Sequence, residues 1–200
     1  MYKRQIVSYL ASRGILKIPC YIKAIEGVYY NKNNEPKKVF GVGVLNNSNG
    51  ADIHFLYKLG DLKTINLWAK DVSLFKNTGS HKLAIFESKM DYAAAYQNLD
   101  FSDSDILIAN STSNLNKVVK LLKEASYINV NIFQQNDPQG RSFAHEIVIQ
   151  ANLTSFNYIK YEAHEEGFDI NDLLQKGVHI QDRVISFTCT KQLHQKRYRN

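Results

Sequence analysis

Carboxylates follow two short apolar stretches of this chain, close to the point where each stretch ends. Glu87 and Asp91 come after residues 84–86, and Asp137 comes after residues 131–133. Each stretch is predicted to be a strand that leads through these polar residues into a helix. The carboxyl ends of parallel strands meet at one edge, where open α/β sheets bind ligands. Carboxylates at such an edge suit a hard cation such as Mg²⁺, which takes few protein oxygens and leaves positions for phosphate.

The two segments resemble the toprim domain, the metal-binding catalytic module of DnaG-type primases, topoisomerases and related nucleases. The first toprim motif is an apolar strand ending in Glu-Gly with an Asp four residues after the Glu, and residues Glu87–Asp91 are similar to it. The second motif is Asp-x-Asp with a Gly three residues on. Residues Gln135–Gly140 are similar to it, with Gln135 in place of the first Asp.

The resemblance extends on both sides of these motifs. Residues Asp169–Leu174 look like an acidic stretch near the end of toprim-type primases of mobile elements. Residues 38–55 are similar to the two strands and Gly-bearing turn that precede toprim in primase cores. Lys70 stands where those cores carry a Lys near the active site. The likeness therefore covers roughly residues 5–176, without the zinc-binding region that DnaG-type primases carry ahead of the core.

The resemblance implies roles for six residues. Glu87 would act as a general acid or base beside the metal, and Lys70 would contact phosphate or nucleotide. The expected ligands of Mg²⁺ or Mn²⁺ are Glu87, Asp91, Asp137, Asp169 and Asp172. Structural roles stay open: Asp91 also fits the first turn of a helix, and Asp137 before Pro138 also fits an N-cap.

Gln135 departs from the toprim pattern. An amide oxygen can coordinate a cation, but it brings no negative charge, so Mg²⁺ should bind more weakly than to a carboxylate pair. Two alternatives follow. Either the metal shifts toward Glu87, Asp137 and the Asp169/Asp172 group, or catalysis is lost and a nucleic-acid-binding scaffold remains.

Charge is distributed unevenly along the chain. Residues 1–80 hold 12 Lys/Arg against 5 Asp/Glu, whereas residues 81–190 hold 9 against 14. Four cations in the last ten residues are candidates for nucleic-acid contact: Lys191, Lys196, Arg197 and Arg199. Basic surfaces around an acidic metal site suit a protein that handles phosphodiesters. The alternative is a mildly basic surface with a solvated tail.

Composition restricts the class of protein further. Hydrophobic residues make up 44% of the 200, which indicates a folded globule. No apolar run reaches the roughly 18 residues of a membrane helix, and no signal-peptide pattern follows the N-terminus, so we expect a soluble cytoplasmic protein. Cys20 and Cys189 are the only cysteines, and their spacing forms neither a zinc ribbon nor a disulfide framework.

Periodicity and turn residues predict an α/β protein in three parts. Residues 1–80 should form a helix at 2–13 and a small, mainly antiparallel sheet, with strands at 21–30, 39–45, 53–58 and 72–75. Residues 81–190 should form the toprim domain, a parallel sheet flanked by helices. Its strands are predicted at 83–86, 106–109, 130–133 and 157–161, its helices at about 90–98, 114–125 and 138–150, and a short helix begins at 169 or 171. Residues 191–200 are predicted to be a basic tail.

The resemblance implies a minimal primase, such as a plasmid or other mobile element would encode. It would make RNA primers on single-stranded DNA from ribonucleoside triphosphates, with a helicase or replication protein as a possible partner and no membrane association. Two alternatives remain. One is a non-catalytic single-strand-binding or replication-assembly protein with the same fold, and the other is a toprim nuclease.

Overall fold

The strands of this chain belong to two sheets in the computed structural model, which describes residues 2–59, 62–161, 167, 169–178 and 184–190. The five α-helices of this part are α1 (Tyr2–Ser12), α2 (Lys89–Ala95), α3 (Leu115–Glu124), α4 (Pro138–Gln150) and α5 (Ile170–Gln175). The strands of the first sheet are β1 (Lys23–Tyr30), β2 (Pro36–Leu45), β3 (Ala51–Leu59) and β4 (Leu62–Leu67). Those of the second are β5 (Ser73–Phe75), β6 (Lys82–Phe86), β7 (Ser104–Ile108), β8 (Asn129–Phe133), β9 (Ser155–Tyr161) and β10 (Val184–Thr190).

The first sheet is an antiparallel half-barrel with the order β1-β2-β3-β4. Its concave face encloses a small apolar cluster that includes Ile25, Ile53 and Leu67. Gly27 of β1 lies against Leu67 of β4, and a Cβ at this position would overlap the end of the Leu67 side chain. Strong curvature thus brings the two outer strands toward each other across the cluster.

The second sheet is mixed and mostly parallel, with the order β10-β9-β8-β6-β7-β5. Strands β7, β6, β8 and β9 run parallel, and the edge strands β5 and β10 run antiparallel to their neighbours. Strand β6 therefore lies in the middle, with β7 on one side and β8 on the other. This position puts the residues after β6 at the centre of the carboxyl edge.

Each face of the second sheet is covered by a different layer. Helices α3 and α4 pack on one face against Leu83, Ile85 and Ile132. Helices α1, α2 and α5, together with β2 of the first sheet, cover the other face, where Phe86 and Phe133 stack with ring centroids 4.3 Å apart. The two sheets are joined through this second layer, so the half-barrel contributes directly to the packing of α2.

The predicted α/β architecture is confirmed, including the N-terminal helix, the antiparallel sheet and the alternation of strands and helices after residue 80. Strands β4 and β10 were not predicted, although both contain the alternation of apolar and polar residues that is typical of a half-buried strand. The boundary at residue 80 stays a prediction, although β5 precedes it and pairs with β7 of the second sheet. None of the helices in the described part of the chain combines the length and apolar character needed to cross a membrane.

Candidate metal centre

Glu87 lies at the centre of the carboxyl edge, directly after β6. Its Oε2 is buried and has no hydrogen-bond partner among the described residues. Burial, together with the neighbouring carboxylates of Asp91 and Asp137, raises the pKa of Glu87 to about 7. A carboxyl group in this state can exchange a proton near neutral pH or bind a cation as the anion.

Asp91 is the third residue of α2 and takes part in its capping. Ser88 is the N-cap, and Ser88 and Asp91 bond each other's backbone N–H in a capping box. Oδ2 of Asp91 also accepts a hydrogen bond of 2.8 Å from Nε2 of Gln135. The other oxygen, Oδ1, is buried and has no partner among the residues that the structure describes. Asp91 therefore caps α2 through Oδ2, while its Oδ1 is available to bind a cation.

The protonation of Asp91 follows from this environment. Burial and the nearby carboxylate of Asp169 raise its pKa to about 6, against the opposing hydrogen bonds from Gln135 and Ser88. Gln135, which replaces an expected carboxylate, thus supplies a hydrogen-bond donor to the site. The N–H group of this amide partly offsets the negative charge of the carboxylates in the site.

Asp137 is the N-cap of α4, where its Oδ1 accepts a hydrogen bond of 2.6 Å from the N–H of Gly140, and Pro138 begins the helix. Gly140 packs tightly against Gln135, because a Cβ at position 140 would lie 2.6 Å from the Cβ of Gln135. Asp137 therefore caps α4, which is the structural role that its position before Pro138 suggested. The carboxylate of Asp137 still lies close enough to Glu87 to raise its pKa.

Asp169 and Asp172 form a second capping box, at the start of α5. Burial raises the pKa of Asp169, and its charge acts on Asp91. The carboxylate of Asp172 accepts a hydrogen bond of 3.1 Å from the N–H of Asp169. Of the two, Asp169 is the residue that faces the site.

Lys70 is exposed in the loop between β4 and β5. Ser73, at the start of β5, pairs with Ile108 at the carboxyl end of β7, so the loop lies at the same sheet edge as Glu87. The candidate contacts in the tail, Lys191, Lys196, Arg197 and Arg199, lie outside the described residues.

A narrow crevice of about 10 Å³ lies beside Asp91 and is also lined by Gln134, Gln135, Tyr161 and Asp169. Three buried polar atoms of these residues lack a hydrogen-bond partner in the described part of the chain: Oδ1 of Asp91, Oε1 of Gln134 and the hydroxyl of Tyr161. Buried polar atoms are normally paired, so a cluster of unpaired ones indicates a missing water or ion. The volume is close to the minimum for one such particle.

The donor set is compatible with a hard divalent cation that is bound partly by water or phosphate. No group of three or more His, Cys, Asp or Glu side chains within the described ranges is arranged to hold a metal. Mg²⁺, however, is usually held by one or two carboxylates plus waters and substrate phosphates. Glu87 and Asp91 meet that requirement, since each has one buried oxygen without a hydrogen-bond partner in the part of the chain that the structure describes.

Sequence reasoning missed a buried ion pair next to this centre. Lys89, only 2% exposed, reaches from the first turn of α2 to the carboxylate of Asp52 on β3, which is also buried. Lys89 stands inside the first motif and could have been noticed as a cation between two acids. No sequence pattern marks Asp52 as its partner.

Lys89 also borders a cleft of about 360 Å³ between α1, the half-barrel and the start of α2. Arg13, His54 and Lys63 line this cleft together with Lys89 and Asp169. Burial and the adjacent cations, Lys89 foremost, lower the pKa of His54 to about 4, so this imidazole is neutral at physiological pH. The cleft is therefore cationic on the half-barrel side and acidic near the carboxyl edge.

Residues 84–174 match the family described as Toprim-like, so the predicted toprim-like domain is confirmed for this part of the chain. Domains of this class typically bind a divalent metal.

Among solved structures, the chain is similar to the crystal structure of the zinc-binding and RNA polymerase domains of the Aquifex aeolicus primase. The sequence identity is 12% and the TM-score 0.48, and the match covers 74% of this chain and 40% of the primase chain. A search of curated proteins found no match.

Proposed function

We propose that this protein is a primase-like toprim enzyme that joins ribonucleotides into RNA primers on single-stranded DNA with the help of Mg²⁺ or Mn²⁺. The observation that carries the proposal is a pair of buried carboxylate oxygens, on Glu87 and Asp91, that have no hydrogen-bond partner among the described residues and lie at the carboxyl edge of a toprim-like sheet. Leaving such atoms without a partner is costly in a folded protein, and a bound cation removes the cost.

Glu87 and Asp91 are the residues that would hold the cation, with Asp137 and Asp169 adding negative potential around it. Bound there, the cation would neutralise the triphosphate and lower the pKa of a coordinated hydroxyl. Asp172 and Asp137 contribute mainly by capping α5 and α4, which keeps the polar loops of the site in place.

Glu87 is suited to act as the proton acceptor in nucleotidyl transfer. The oxygen of a primer 3′ hydroxyl forms a bond to the α-phosphorus of the incoming nucleotide, and the bond to the pyrophosphate leaving group breaks. The hydroxyl proton passes to the Glu87 carboxylate. The pKa of about 7 belongs to the metal-free site, and a cation bound beside Glu87 would lower it, so the carboxylate would be ionised and able to accept the proton near neutral pH.

The cationic cleft beside α2 is the proposed site of the ribonucleoside triphosphate. Its volume of about 360 Å³ falls in the range of small-molecule sites. Arg13 and Lys63 would neutralise phosphates on the half-barrel side, and Lys70 would contact the template or nucleotide phosphates from the loop before β5.

A second candidate function follows from the hydrogen bond between Gln135 and Asp91. This bond engages one carboxylate oxygen that a full metal site would use. A protein that keeps the fold but has lost catalysis would bind single-stranded DNA as a replication-assembly factor.

Primer synthesis with labelled ribonucleotides on a single-stranded template, with Mg²⁺ or Mn²⁺, separates these functions. We expect labelled primers from the wild-type protein and a loss of at least about 100-fold in Glu87→Gln, since general acid–base groups contribute about 10²- to 10⁴-fold. Glu124→Gln, an exposed change on α3, should retain full activity.

Circular dichroism should give the same spectrum for all three proteins. Wild-type activity in Glu87→Gln would contradict the assignment of this residue. Template binding without primer synthesis would favour the non-catalytic candidate, and metal-dependent cutting of the template would identify a nuclease.

A further inference from the structure

Trp68, the only tryptophan of the chain, lies on the surface in an unusual backbone conformation. It follows β4 directly, its side chain is 71% exposed, and its φ angle is +61°. A bulky aromatic residue rarely adopts the left-handed region, because its Cβ then crowds the backbone. Neither the exposure nor the strain contributes to the stability of the fold, and strain of this kind clusters at functional sites.

The loop that carries Trp68 is held firmly in place. The amide of Asn46 donates a hydrogen bond of 2.7 Å to the carbonyl of Ala69. A Cβ at Gly50 would overlap the same carbonyl, so the β2–β3 turn fits closely under the loop. The N–H of Asn47 donates to the carbonyl of Val72 at 2.9 Å. The strained conformation is therefore imposed by the surrounding structure.

A second set of contacts ties the loop to the toprim-like domain. Asp71 bonds Ser48 of the turn and forms an ion pair of 3.1 Å with Lys117 of α3. Asn110, just after β7, donates a hydrogen bond of 2.9 Å to the carbonyl of Asp71. Although partial burial opposes its ionisation, the hydrogen bonds from Ser48, Val72 and Lys117 lower the pKa of Asp71, so this anchor is charged at neutral pH.

The surroundings of Trp68 suit a polyanion that carries flat rings. Lys70 is exposed two residues away, and the half-exposed Lys117 also contacts the loop through the carbonyl of Lys70. Asp71 is the one acidic side chain among these loop contacts within the described residues, so the net charge of Lys70, Asp71 and Lys117 is positive. Asn110 holds the loop of Trp68 and Lys70 next to the carboxyl end of β7, at the sheet edge that carries Glu87 and Asp91. A nucleic-acid strand must pass this edge if the proposed function is correct.

We propose that Trp68 is a stacking platform for an unpaired base of a single-stranded nucleic acid whose phosphates are contacted by Lys70. This inference rests on the proposed function, because it assigns part of the strand-binding surface. Stacking on an aromatic ring accepts any base, and Lys70 contributes a contact to the backbone that is independent of sequence. A rigid, preformed platform lowers the entropy lost on binding.

The fluorescence of the single tryptophan tests this directly. The full chain is titrated without added metal, first with oligothymidylate and oligouridylate, and then with an abasic strand of equal length. Excitation at the red edge of the absorption band avoids the 12 tyrosines. We expect Trp68 emission to be quenched by both base-carrying strands and to be unchanged by the abasic strand.

Binding is followed independently by the fluorescence anisotropy of end-labelled strands. Trp68→Ala should weaken binding about 5- to 150-fold, whereas Trp68→Phe should retain most of the affinity. Ile128→Ala is the matched control, because Ile128 is equally exposed, at 72%, but precedes β8 at the opposite edge of the sheet. This variant should bind like the wild type.

Gly50→Ala adds a test that leaves Trp68 in the sequence. The added methyl group displaces the carbonyl of Ala69, so the loop should shift and quenching should fall while the circular dichroism spectrum is retained. The stacking role of Trp68 would be overturned if strands bind without changing its emission and Trp68→Ala binds them like the wild type. That result would leave the proposed function intact. Absence of any strand binding would overturn both.

Discussion

Glu87 and Asp91 owe their properties to their position on a buried edge, where both side chains are largely shielded from water. Both carboxyl groups have raised pKa values, and each keeps one buried oxygen without a partner in the described part of the chain. Gln135 is the residue that moderates their mutual repulsion, through its hydrogen bond to Asp91. The carboxylates of the site favour metal binding through their negative charge. The hydrogen bond from Gln135 favours the metal-free state, because it stabilises the Asp91 carboxylate without a cation.

Replacing Gln135 with Asp should shift this balance. Gln135→Asp removes the donor to Asp91 and adds a like charge, so we expect a lower melting temperature in the presence of a chelator. With Mg²⁺ the added charge should tighten metal binding by about tenfold, or about 1.4 kcal/mol, as measured by calorimetry.

Gln150→Asp is a suitable control, since it adds the same charge at an exposed position at the opposite end of α4. Its metal affinity should stay at the wild-type value. If Gln135→Asp leaves the affinity unchanged or lowers it, residues 135–140 do not form part of the metal site.

The raised pKa values predict opposite pH trends for stability and metal binding. Folded Glu87 and Asp91 hold protons up to about pH 7 and 6, above the unfolded values of 4.5 and 3.8. Their protonation therefore stabilises the metal-free protein fully below about pH 4, and this contribution is lost as the pH rises through 6 to 7. Metal affinity should increase over the same interval, because the cation competes with these protons.

Thermal unfolding in chelator and calorimetric titration with Mg²⁺, each between about pH 5 and 8, measure the two trends. Glu87→Gln should flatten both of them, because the amide cannot titrate. A melting temperature that rises steadily with pH in chelator would contradict the assigned protonation states.

Helix α2 is positioned from both ends of its first turn. Ser88 and Asp91 cap it within the toprim-like domain, and Lys89 attaches it to β3 through Asp52. The ion pair thereby joins the second sheet to the half-barrel at the point where Glu87 and Asp91 emerge. Any displacement of the half-barrel would move α2 and change the spacing of these carboxylates.

A double-mutant cycle on this ion pair tests its role. Lys89→Met leaves the Asp52 carboxylate buried without a partner, so we expect the free energy of unfolding to fall by about 3–5 kcal/mol. Asp52→Leu should cost a similar amount, whereas the double variant should lie close to the wild type, because no buried charge remains. Urea denaturation measures all four proteins. Additive losses in the double variant would show that the two side chains do not interact.

Charge at the scale of the whole molecule complements the acidic edge. The first 80 residues and the last ten are basic, and the acidic residues concentrate between them. The cleft beside α2 and the loop with Trp68 both lie between the basic half-barrel and the acidic edge. A polyanion that reaches the carboxylates would therefore meet cations in the cleft and in the loop.

Removal of residues 191–200 tests how much the basic tail contributes to the binding of single-stranded DNA. We expect weaker binding of single-stranded DNA and a flatter dependence on salt, with a slope change of up to roughly 0.7 for each of the four cations that contacts a phosphate. Anisotropy titrations over a series of salt concentrations measure both quantities. An unchanged salt dependence would show that the tail does not contact the phosphates of the bound strand.

The sequence alone determined the local features of this protein. Apolar strands followed by Glu87 and Asp137, the Pro at the start of α4 and the alternation of strands and helices are patterns within a few residues, and burial follows from them. These patterns were sufficient to predict the two-part α/β architecture and the edge at which the carboxylates meet.

Tertiary structure decided which polar groups are paired. Gln135 and Asp91 are 44 residues apart in the chain, and Lys89 and Asp52 are 37 apart. Their contacts depend on how strands from separate segments align, which periodicity does not encode. The same holds for Trp68, whose exposure results from a turn packed beneath its loop. Burial without a partner is a property of three-dimensional packing, so only the fold identifies the oxygens of Glu87 and Asp91 that are buried and have no partner within the described ranges.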